Sequence, residues 1–375
     1  MSPSENPLAN ILAERIHRFG PITFAEFMRE ALYHPLHGYY TKPEAIGFAD
    51  YYTSVDVHPI FGRLLARQFA EMWQQVDCPA EFTVVEAGAG VGRLAGHILE
   101  FAKSKLPAFY EALRYIAVER SPARSDQLAA RLGQFIRERK CASSIEIPAK
   151  IPAGCVFSNE LLDAMVVHRV IQKAGGLQEV FITNDGRDFT EVSQTVSTCA
   201  ISEYFIAQQI SLQEGQQAEA GLETCDWIME IGRRLDRGFV VTIDYGHEAS
   251  ELYDAHHMSG TMLAYAAHQA KEDYYAAPGE QDLTAHVNFS ALRLWGERVG
   301  LHTLGLVSQT AFLLALGKGN EFADLYDDGM DETDRVRARL QLKTLIYPEG
   351  MGERFQVLVQ EKCVPSARLT GLVGF

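Results

Sequence analysis

Long apolar runs are missing from this sequence. No stretch approaches the roughly 18 consecutive apolar residues that a membrane-spanning helix needs. The first residues, Met1-Ser-Pro-Ser-Glu-Asn-Pro7, contain no basic region that leads into an apolar segment, and they are not an Arg-rich, acid-poor amphipath. These absences predict a protein with no signal peptide, no transit peptide and no membrane insertion, and we expect it in the cytoplasm.

Cysteines at metal-binding spacing are also missing. The six cysteines are scattered and include no C-x-x-C; they stand at positions 78, 141, 155, 199, 225 and 363. This pattern is typical of reduced thiols and argues against a disulfide framework or a zinc site. His34 and His37 lie close together in an aromatic loop, but nothing beside them completes a ligand set, so we predict no metal.

Basic residues are outnumbered. Against 34 Lys and Arg stand 49 Asp and Glu, which gives a formal net charge of −15 at pH 7. An acidic chain disfavours non-specific nucleic-acid binding and suits a cationic or protein partner, although the charge is equally consistent with solubility alone. Hydrophobic residues make up 47% of the 375 positions, enough for a substantial core, and no internal repeat interrupts the chain.

The most informative stretch that is present runs from Phe82 to Arg93, with the sequence FTVVEAGAGVGR. Its apolar, β-branched beginning predicts a buried parallel strand that ends at Glu86. Apolar residues at helical spacing follow the stretch. Between strand and helix, glycines alternate at Gly88, Gly90 and Gly92. A strand, a glycine turn and a helix in this order predict the nucleotide-binding start of a doubly wound α/β fold.

The spacing of the glycines distinguishes between ligands. A dinucleotide motif, G-x-G-x-x-G, counted from Gly88 would need its third glycine at position 93, which is Arg93. A carboxylate two residues before the first glycine, as at Glu86, is instead the first motif of S-adenosylmethionine (SAM) methyltransferases. SAM has no pyrophosphate, but it carries a cationic ammonium and a cationic sulfonium, which suit a carboxylate. Another nucleotide, or a turn that binds nothing, remains an alternative at this point.

A second acid ends the next predicted strand, Arg114 to Glu119. In doubly wound folds an acid at the tip of the second strand binds the ribose hydroxyls, so we predict this role for Glu119. Its interval from Gly88 is longer than the usual interval of about 20 residues, because the intervening helix is extended. Ser121-Pro122 then predicts the start of a helix that runs to about Lys140. A charge that merely faces a helix is the alternative for Glu119.

Polar residues also follow the predicted strand at 154–158: Asn159, Glu160 and Asp163. Ligands of parallel sheets bind outside the carboxyl ends of the strands, so these side chains should face the same cleft as Glu86 and Glu119. An amide and two carboxylates suit the binding and orientation of a cationic or amine substrate. The alternatives are an Asx turn or N-cap at Asn159 and charges at a helix start.

The remaining patterns complete an α/β fold with a Rossmann-like, seven-stranded sheet of the class I SAM-methyltransferase type. We predict a third strand at 144–147, a fifth at 237–246 with Asp244 at its mouth, and an antiparallel last pair. A hairpin of strands at 166–173 and 177–183, then helices near 201–213 and 222–236, form an inserted α+β block. The predicted segments are a helical cap or lid over 1–80, the first core part over 81–164, the insertion over 165–236, and the second core part over 237–375 with a loop insertion at 247–290. Within 1–80, Thr23 and Glu26 are spaced as a capping box for a helix that runs to about Leu32.

Motifs along nearly the whole chain resemble the MidA family of SAM-dependent methyltransferases, which includes the mitochondrial complex I assembly factor NDUFAF-seven. These motifs are His34-Pro35 with Gly38-Tyr-Tyr40, the glycine motif of Glu86, Val118 to Pro122 with Gln127, Asn159 to Asp163 with Val167-His168, Ile243 to Gly246, Gly260 to Ala264 with His268, Asp282 to Val287, and Gly350 to Arg354.

The resemblance implies methyl transfer to an arginine of a protein, such as a respiratory complex I subunit. It places SAM against Thr53, Glu86, Gly88, Gly90, Gly92, Glu119 and Asn159. Glu160 and Asp163 would be the catalytic pair, since carboxylates orient a guanidinium through bidentate hydrogen bonds. The segment at 49–59 keeps Asp50 and Thr53 of the family pattern but replaces its Gly, Pro and Gln, and Arg63 replaces an acid.

Two other functions remain open on the sequence. One is a small-molecule methyltransferase with the same cofactor site. The other is a non-catalytic assembly factor or scaffold, favoured by the altered 49–63 segment and opposed by the carboxylates at three strand ends. We expect no nucleic-acid partner, and a homodimer is one option for the oligomeric state.

Overall fold

The computed structural model describes residues 6–42, 58–186, 188–266, 269–271, 273–327, 329–346 and 355–373. The helices in these residues are α1 (Pro7–Phe19), α2 (Phe24–Tyr33), α3 (Ile60–Gln75), α4 (Arg93–Lys105), α5 (Pro107–Ala112), α6 (Pro122–Arg131), α7 (Gly133–Arg137), α8 (Cys199–Ala207), α9 (Leu222–Arg234), α10 (Ala249–Leu252), α11 (Phe289–Glu297), α12 (Gln309–Lys318) and α13 (Glu332–Ile346). Short 3-10 turns lie at Tyr39–Thr41, Ala323–Leu325 and Thr370–Leu372.

The strands are β1 (Ile22–Thr23), β2 (Phe82–Ala87), β3 (Leu113–Val118), β4 (Cys141–Ser144), β5 (Gly154–Asn159), β6 (His168–Lys173), β7 (Gly176–Asn184), β8 (Phe189–Thr195), β9 (Gln217–Ala220), β10 (Gly238–His247), β11 (Leu263–Ala266), β12 (Gln269–Lys271), β13 (Asp282–Thr284), β14 (Val287–Asn288), β15 (His302–Ser308) and β16 (Phe355–Lys362). Among the helices of the described ranges, none is long and apolar enough to cross a bilayer.

The chain divides into two compact units that alternate along the sequence. The first unit takes its described residues from 1–51, 162–228 and 246–295, and the second from 52–161, 229–245 and 296–375. Within the predicted segment 1–80, α1 and α2 therefore belong to the first unit and α3 to the second.

The second unit contains a mixed sheet with the strand order β4-β3-β2-β5-β10-β16-β15, and β14 pairs in addition with the last two residues of β10. The strands from β4 to β10 pair in parallel, whereas β16 is antiparallel to both of its neighbours. This confirms the antiparallel arrangement of the last predicted pair. Every residue of β2 is buried, as its composition predicts, and one face of the sheet packs with α3 and α4 in a large hydrophobic core.

Two sequence-based bounds in this unit are wrong. The third strand is Cys141–Ser144 and does not extend over 144–147, because the Ser144 hydroxyl both accepts from the amide of Glu146 and donates to its carbonyl, which closes a turn. The helix after Pro122 does not continue to Lys140. It is interrupted at Leu132 and restarts at Gly133, a residue of low helix propensity.

The first unit is built on an antiparallel sheet with the order β1-β7-β6-β9, to which β8 adds beside β7. The predicted hairpin is confirmed as β6 and β7, which pair across Lys173 and Gly176. A smaller sheet has the order β12-β11-β13. The predicted capping box of α2 is confirmed: the Thr23 hydroxyl accepts from the Glu26 amide, and the Glu26 carboxylate accepts from the Thr23 amide.

Sequence patterns did not predict β8 or β9, and the helix predicted near 201–213 is too long, since α8 ends at Ala207. The sequence of β9 is Gln-Ala-Glu-Ala, with no β-branched or aromatic residue. It is a strand because it pairs with β6, and such tertiary pairing overrides weak local preference.

Candidate functional site

The glycine turn between β2 and α4 is left-handed at each alternate glycine. The φ angles are 75° at Gly88, 54° at Gly90 and 76° at Gly92. The amides of Gly88 and Ala89 both donate to the carbonyl of Val118, at 3.0 and 2.9 Å, which ties the turn to the end of β3. The neighbouring parallel strand therefore fixes the path of this turn.

The glycines differ in what surrounds them. A Cβ placed on Gly90 would meet no described atom within 4 Å, so bare backbone here faces open space. A Cβ on Gly92 would lie 3.1 Å from Leu128 and 3.2 Å from Leu132, because Gly92 caps α4 where that helix packs on α6. A Cβ on Gly88 would lie 2.9 Å from Leu161 Cδ1. Gly90 thus offers room for a ligand, while Gly92 allows close helix packing.

Glu119 stands beside this open position, directly after β3. One carboxylate oxygen accepts from the Gly90 amide at 2.9 Å, and the other accepts from the Ser121 amide at 2.7 Å. The side chain is buried. The structure thus brings together the glycine turn and the acid that we predicted to bind ribose.

Glu86 is buried at the end of β2 and accepts a 2.6 Å hydrogen bond from the hydroxyl of Tyr115. Burial raises the pKa of Glu86 to about 8; the Tyr115 hydrogen bond lowers this pKa, and the charge of Glu119 raises it further. At neutral pH and without a cation nearby, this carboxyl group therefore holds a proton. A cationic ligand would favour its ionised form.

The turn after β5 brings Asn159 and Glu160 to the same edge of the sheet. Asn159 lies opposite Ile243 of β10, and the Glu160 amide donates to the carbonyl of Ile243 at 3.0 Å. The Asn159 amide nitrogen donates to the Glu160 carboxylate at 3.0 Å. The Oδ1 atom of Asn159 is buried, and no described residue donates a hydrogen bond to it.

Asp244 supports this turn, a role that sequence reasoning missed. It is fully buried near the end of β10, and its Oδ2 accepts from the amide of Leu161 at 3.2 Å. Its position at a strand mouth was visible in the sequence, but its bond to a backbone amide far away in the chain was not.

Asp163 lies in the first unit, unlike the other predicted site residues that the structure describes. Its side chain is buried, and its carbonyl accepts from the amide of Ala285 at 3.0 Å. Nearby in this unit, the Tyr40 hydroxyl donates to Asp282 at 2.8 Å. Burial, followed by the charges of Asp282 and Asp163, raises the pKa of Tyr40. Asp282 has no role in the site predicted from the sequence, although this residue begins one of the motifs of the resemblance.

Thr53 and the loop around it lie outside the described residues. His34 and His37 stack with ring centroids 5.2 Å apart, and His34 Nδ1 accepts from the amides of Leu36 and His37. In the part of the chain that the structure describes, no group of three or more His, Cys, Asp or Glu side chains could hold a metal ion.

A mixed α/β sheet whose parallel strands carry an acid–glycine turn, with a second acid after the next strand, is typical of nucleotide-binding α/β proteins. The family model described as "Putative S-adenosyl-L-methionine-dependent methyltransferase" matches residues 64–307, and the chain belongs to this family. It is a SAM-dependent methyltransferase.

Named relatives and a solved structure agree with this family. The Danio rerio protein arginine methyltransferase NDUFAF7, mitochondrial, is 30% identical, over 92% of this chain and 84% of its own length. The Homo sapiens protein of the same name is 28% identical, over 98% of this chain and 86% of its own. A COG1565 superfamily member from Burkholderia thailandensis, bound to S-adenosyl-homocysteine (SAH), has a TM-score of 0.83 at 28% identity, covering 97% of this chain and 94% of its own.

Proposed function

We propose that this protein transfers methyl groups from SAM to an arginine of a protein substrate. The observation that carries the cofactor part is the buried carboxylate of Glu119 beside the open backbone of Gly90. The arginine part is supported by the relatives named as protein arginine methyltransferases, which align over most of both chains.

The donor groups at the strand ends fit SAM. A carboxylate can accept from both ribose hydroxyls, which suits Glu119. The buried Oδ1 of Asn159 lacks a donor among the described residues, and an ammonium is a donor. Glu86 offers a carboxyl group whose ionised form a cation would stabilise. Gly90 lets a ligand approach the main chain closely, and Thr53, Gly88 and Gly92 stay predictions.

When bound, SAM supplies an electrophilic methyl group. Methyl transfer needs alignment and electrostatic support more than acid–base chemistry. A guanidinium is always protonated, so a carboxylate can orient it through paired hydrogen bonds. We propose Glu160 and Asp163 for this role at the methyl acceptor.

Finer features follow the same proposal. The strand order β4-β3-β2-β5-β10-β16-β15 supports a seven-stranded class I methyltransferase sheet with a helical cap and an inserted block. A respiratory complex I subunit is our candidate acceptor, with a homodimer as a candidate assembly. The six cysteines all lie in the described residues and form no disulfide with one another, which supports our proposal of a reducing compartment such as the cytoplasm.

Calorimetric titration with SAH tests the cofactor site. We expect wild-type protein to bind SAH, and Glu119→Ala to weaken binding about 10- to 100-fold through loss of charge-assisted hydrogen bonds. Glu100→Ala is the matched control, because Glu100 is an exposed acid on α4. Folded wild-type protein that binds neither SAM nor SAH would contradict the proposal and favour the scaffold function.

The acceptor is tested with methyl-labelled SAM and a cell extract. Mass spectrometry of labelled proteins should find methylated arginine. Label that appears only in small molecules would favour the small-molecule methyltransferase.

A further inference from the structure

The turn after β5 is held in a conformation that its residues do not prefer. Glu160 has a φ of 51°, in the left-handed region that residues other than glycine rarely occupy. Such strain persists only where surrounding structure holds it, and it clusters at functional sites. The contacts that hold Glu160 therefore indicate which function this turn serves.

Two consecutive amides of the turn are bound to β10. The Glu160 amide donates to the carbonyl of Ile243 at 3.0 Å, and the Leu161 amide donates to Asp244 Oδ2 at 3.2 Å. The second oxygen of Asp244 accepts from the amide of Tyr245 at 3.0 Å. Asp244 is fully buried, so these bonds are shielded from competing water. A buried carboxylate thus fixes the strained turn from the adjacent strand.

Asn159, in this turn, presents a polar atom to which no described residue donates a hydrogen bond. Asn159 Oδ1 is buried and receives no hydrogen bond from a described residue, while its amide nitrogen donates to Glu160. Buried acceptors in native proteins are nearly always paired, so an unpaired one points to a ligand that donates. Leu161 lies against Gly88, which places the turn beside the glycine turn.

We propose that Asp244 is a positioning residue that holds the strained turn so that Asn159 Oδ1 accepts a hydrogen bond from the α-ammonium of SAM. This inference rests on the proposed function and deepens it. It assigns recognition of the amino-acid end of the cofactor to β5 and β10, and leaves the ribose to Glu119 at the end of β3.

Two ligands distinguish binding of the amino-acid end of the cofactor from binding of its adenosine end. SAH and 5′-methylthioadenosine share the adenosine and the thioether, but only SAH has the ammonium and carboxylate. In Asp244→Asn, one acceptor oxygen becomes an NH₂ group, which cannot accept from Leu161 or Tyr245. We expect this variant and Asn159→Leu to weaken SAH binding about tenfold or more. Both should leave binding of 5′-methylthioadenosine within about twofold.

Two further variants calibrate the calorimetry. Thr242→Val changes a side chain of the same strand at a position that lies inside the pairing with β5, opposite Ser158 and before the turn begins. It should leave both affinities unchanged. Glu119→Ala should weaken both ligands, since both contain the ribose.

The outcomes are separable. Equal weakening of both ligands by Asp244→Asn and Asn159→Leu, or no weakening of SAH, overturns the inference and leaves the proposed function in place. Wild-type protein that binds neither ligand overturns both together. Thermal melting shows which variants fold; if Asp244→Asn does not, the partly exposed Asn159→Leu decides.

Discussion

At the scale of single residues, Glu160 carries strain that glycine would relieve. We expect Glu160→Gly to be more stable than Glu160→Ala by about 1 kcal/mol, because alanine keeps the left-handed penalty and glycine does not. Both variants lose the hydrogen bond from Asn159, so the comparison isolates the backbone. Urea unfolding measures the difference, and equal stabilities would show that the turn is not strained. Both variants should lose methyl transfer.

The buried carboxyl of Glu86 predicts how stability depends on pH. Its pKa is raised from the usual 4.5 to about 8 by burial, so its contribution to folding is fully present below pH 4.5 and is lost as pH rises through about 8. Glu86→Gln cannot ionise, and its stability relative to wild type should therefore increase between pH 5 and pH 8.5. Each unit of pKa shift is worth about 1.4 kcal/mol.

Denaturant unfolding of both proteins at several pH values provides the measurement. The exposed Glu100→Gln serves as the control, and its difference from wild type should stay flat over this range. A flat difference for Glu86→Gln as well would mean that the carboxyl is ionised throughout.

At the scale of elements, Gly92 packs closely at the start of α4, whereas Gly90, just before it, is our proposed ligand contact. Alanine at Gly90 or Gly92 incurs the left-handed penalty of about 1–2 kcal/mol. Gly92→Ala must also displace Leu128 and Leu132, so we expect it to be the less stable variant. Gly90→Ala should weaken SAH binding more. Melting curves and calorimetry on the same two proteins test this; the reverse ranking in SAH affinity would contradict it.

The elements that sequence reasoning predicted are those whose local signal agrees with their environment. β2 is apolar and β-branched and is entirely buried, and α2 begins with the expected capping box. β9 was missed because its Gln, Ala and Glu residues carry no strand signal of their own. The end of β4 was misplaced because a single hydroxyl, that of Ser144, closes the turn.

The site residues show the same contrast between features with a local sequence signal and features that depend on tertiary contacts. Acids at strand ends, such as Glu86 and Glu119, could be found from the sequence because strand and turn patterns locate them. The hydrogen bond from the Leu161 amide to Asp244 could not be predicted from the sequence, because it depends on the pairing of β5 with β10. The strain at Glu160 was equally hidden, because a backbone angle leaves no trace in residue type.

At the scale of the whole molecule, the first unit gathers its core from separate parts of the chain. Its hydrophobic cluster combines Leu8 and Phe24 with Val180 and with Leu283. A fragment limited to the predicted insertion, 165–236, lacks most of these partners. We expect this fragment to show no cooperative unfolding transition by circular dichroism, and a sharp transition would mean that the insertion folds alone.

The same interleaving has a consequence in time. During synthesis α1 and α2 leave the ribosome before Leu283 and Ala285, which join them in one hydrophobic cluster of the finished unit. At about 5–20 residues per second, the ribosome needs roughly 10 to 50 s to reach those residues. Throughout that interval the apolar side chains of both helices stay exposed to solvent. We therefore expect chaperones to bind these two helices during synthesis, before the unit can fold.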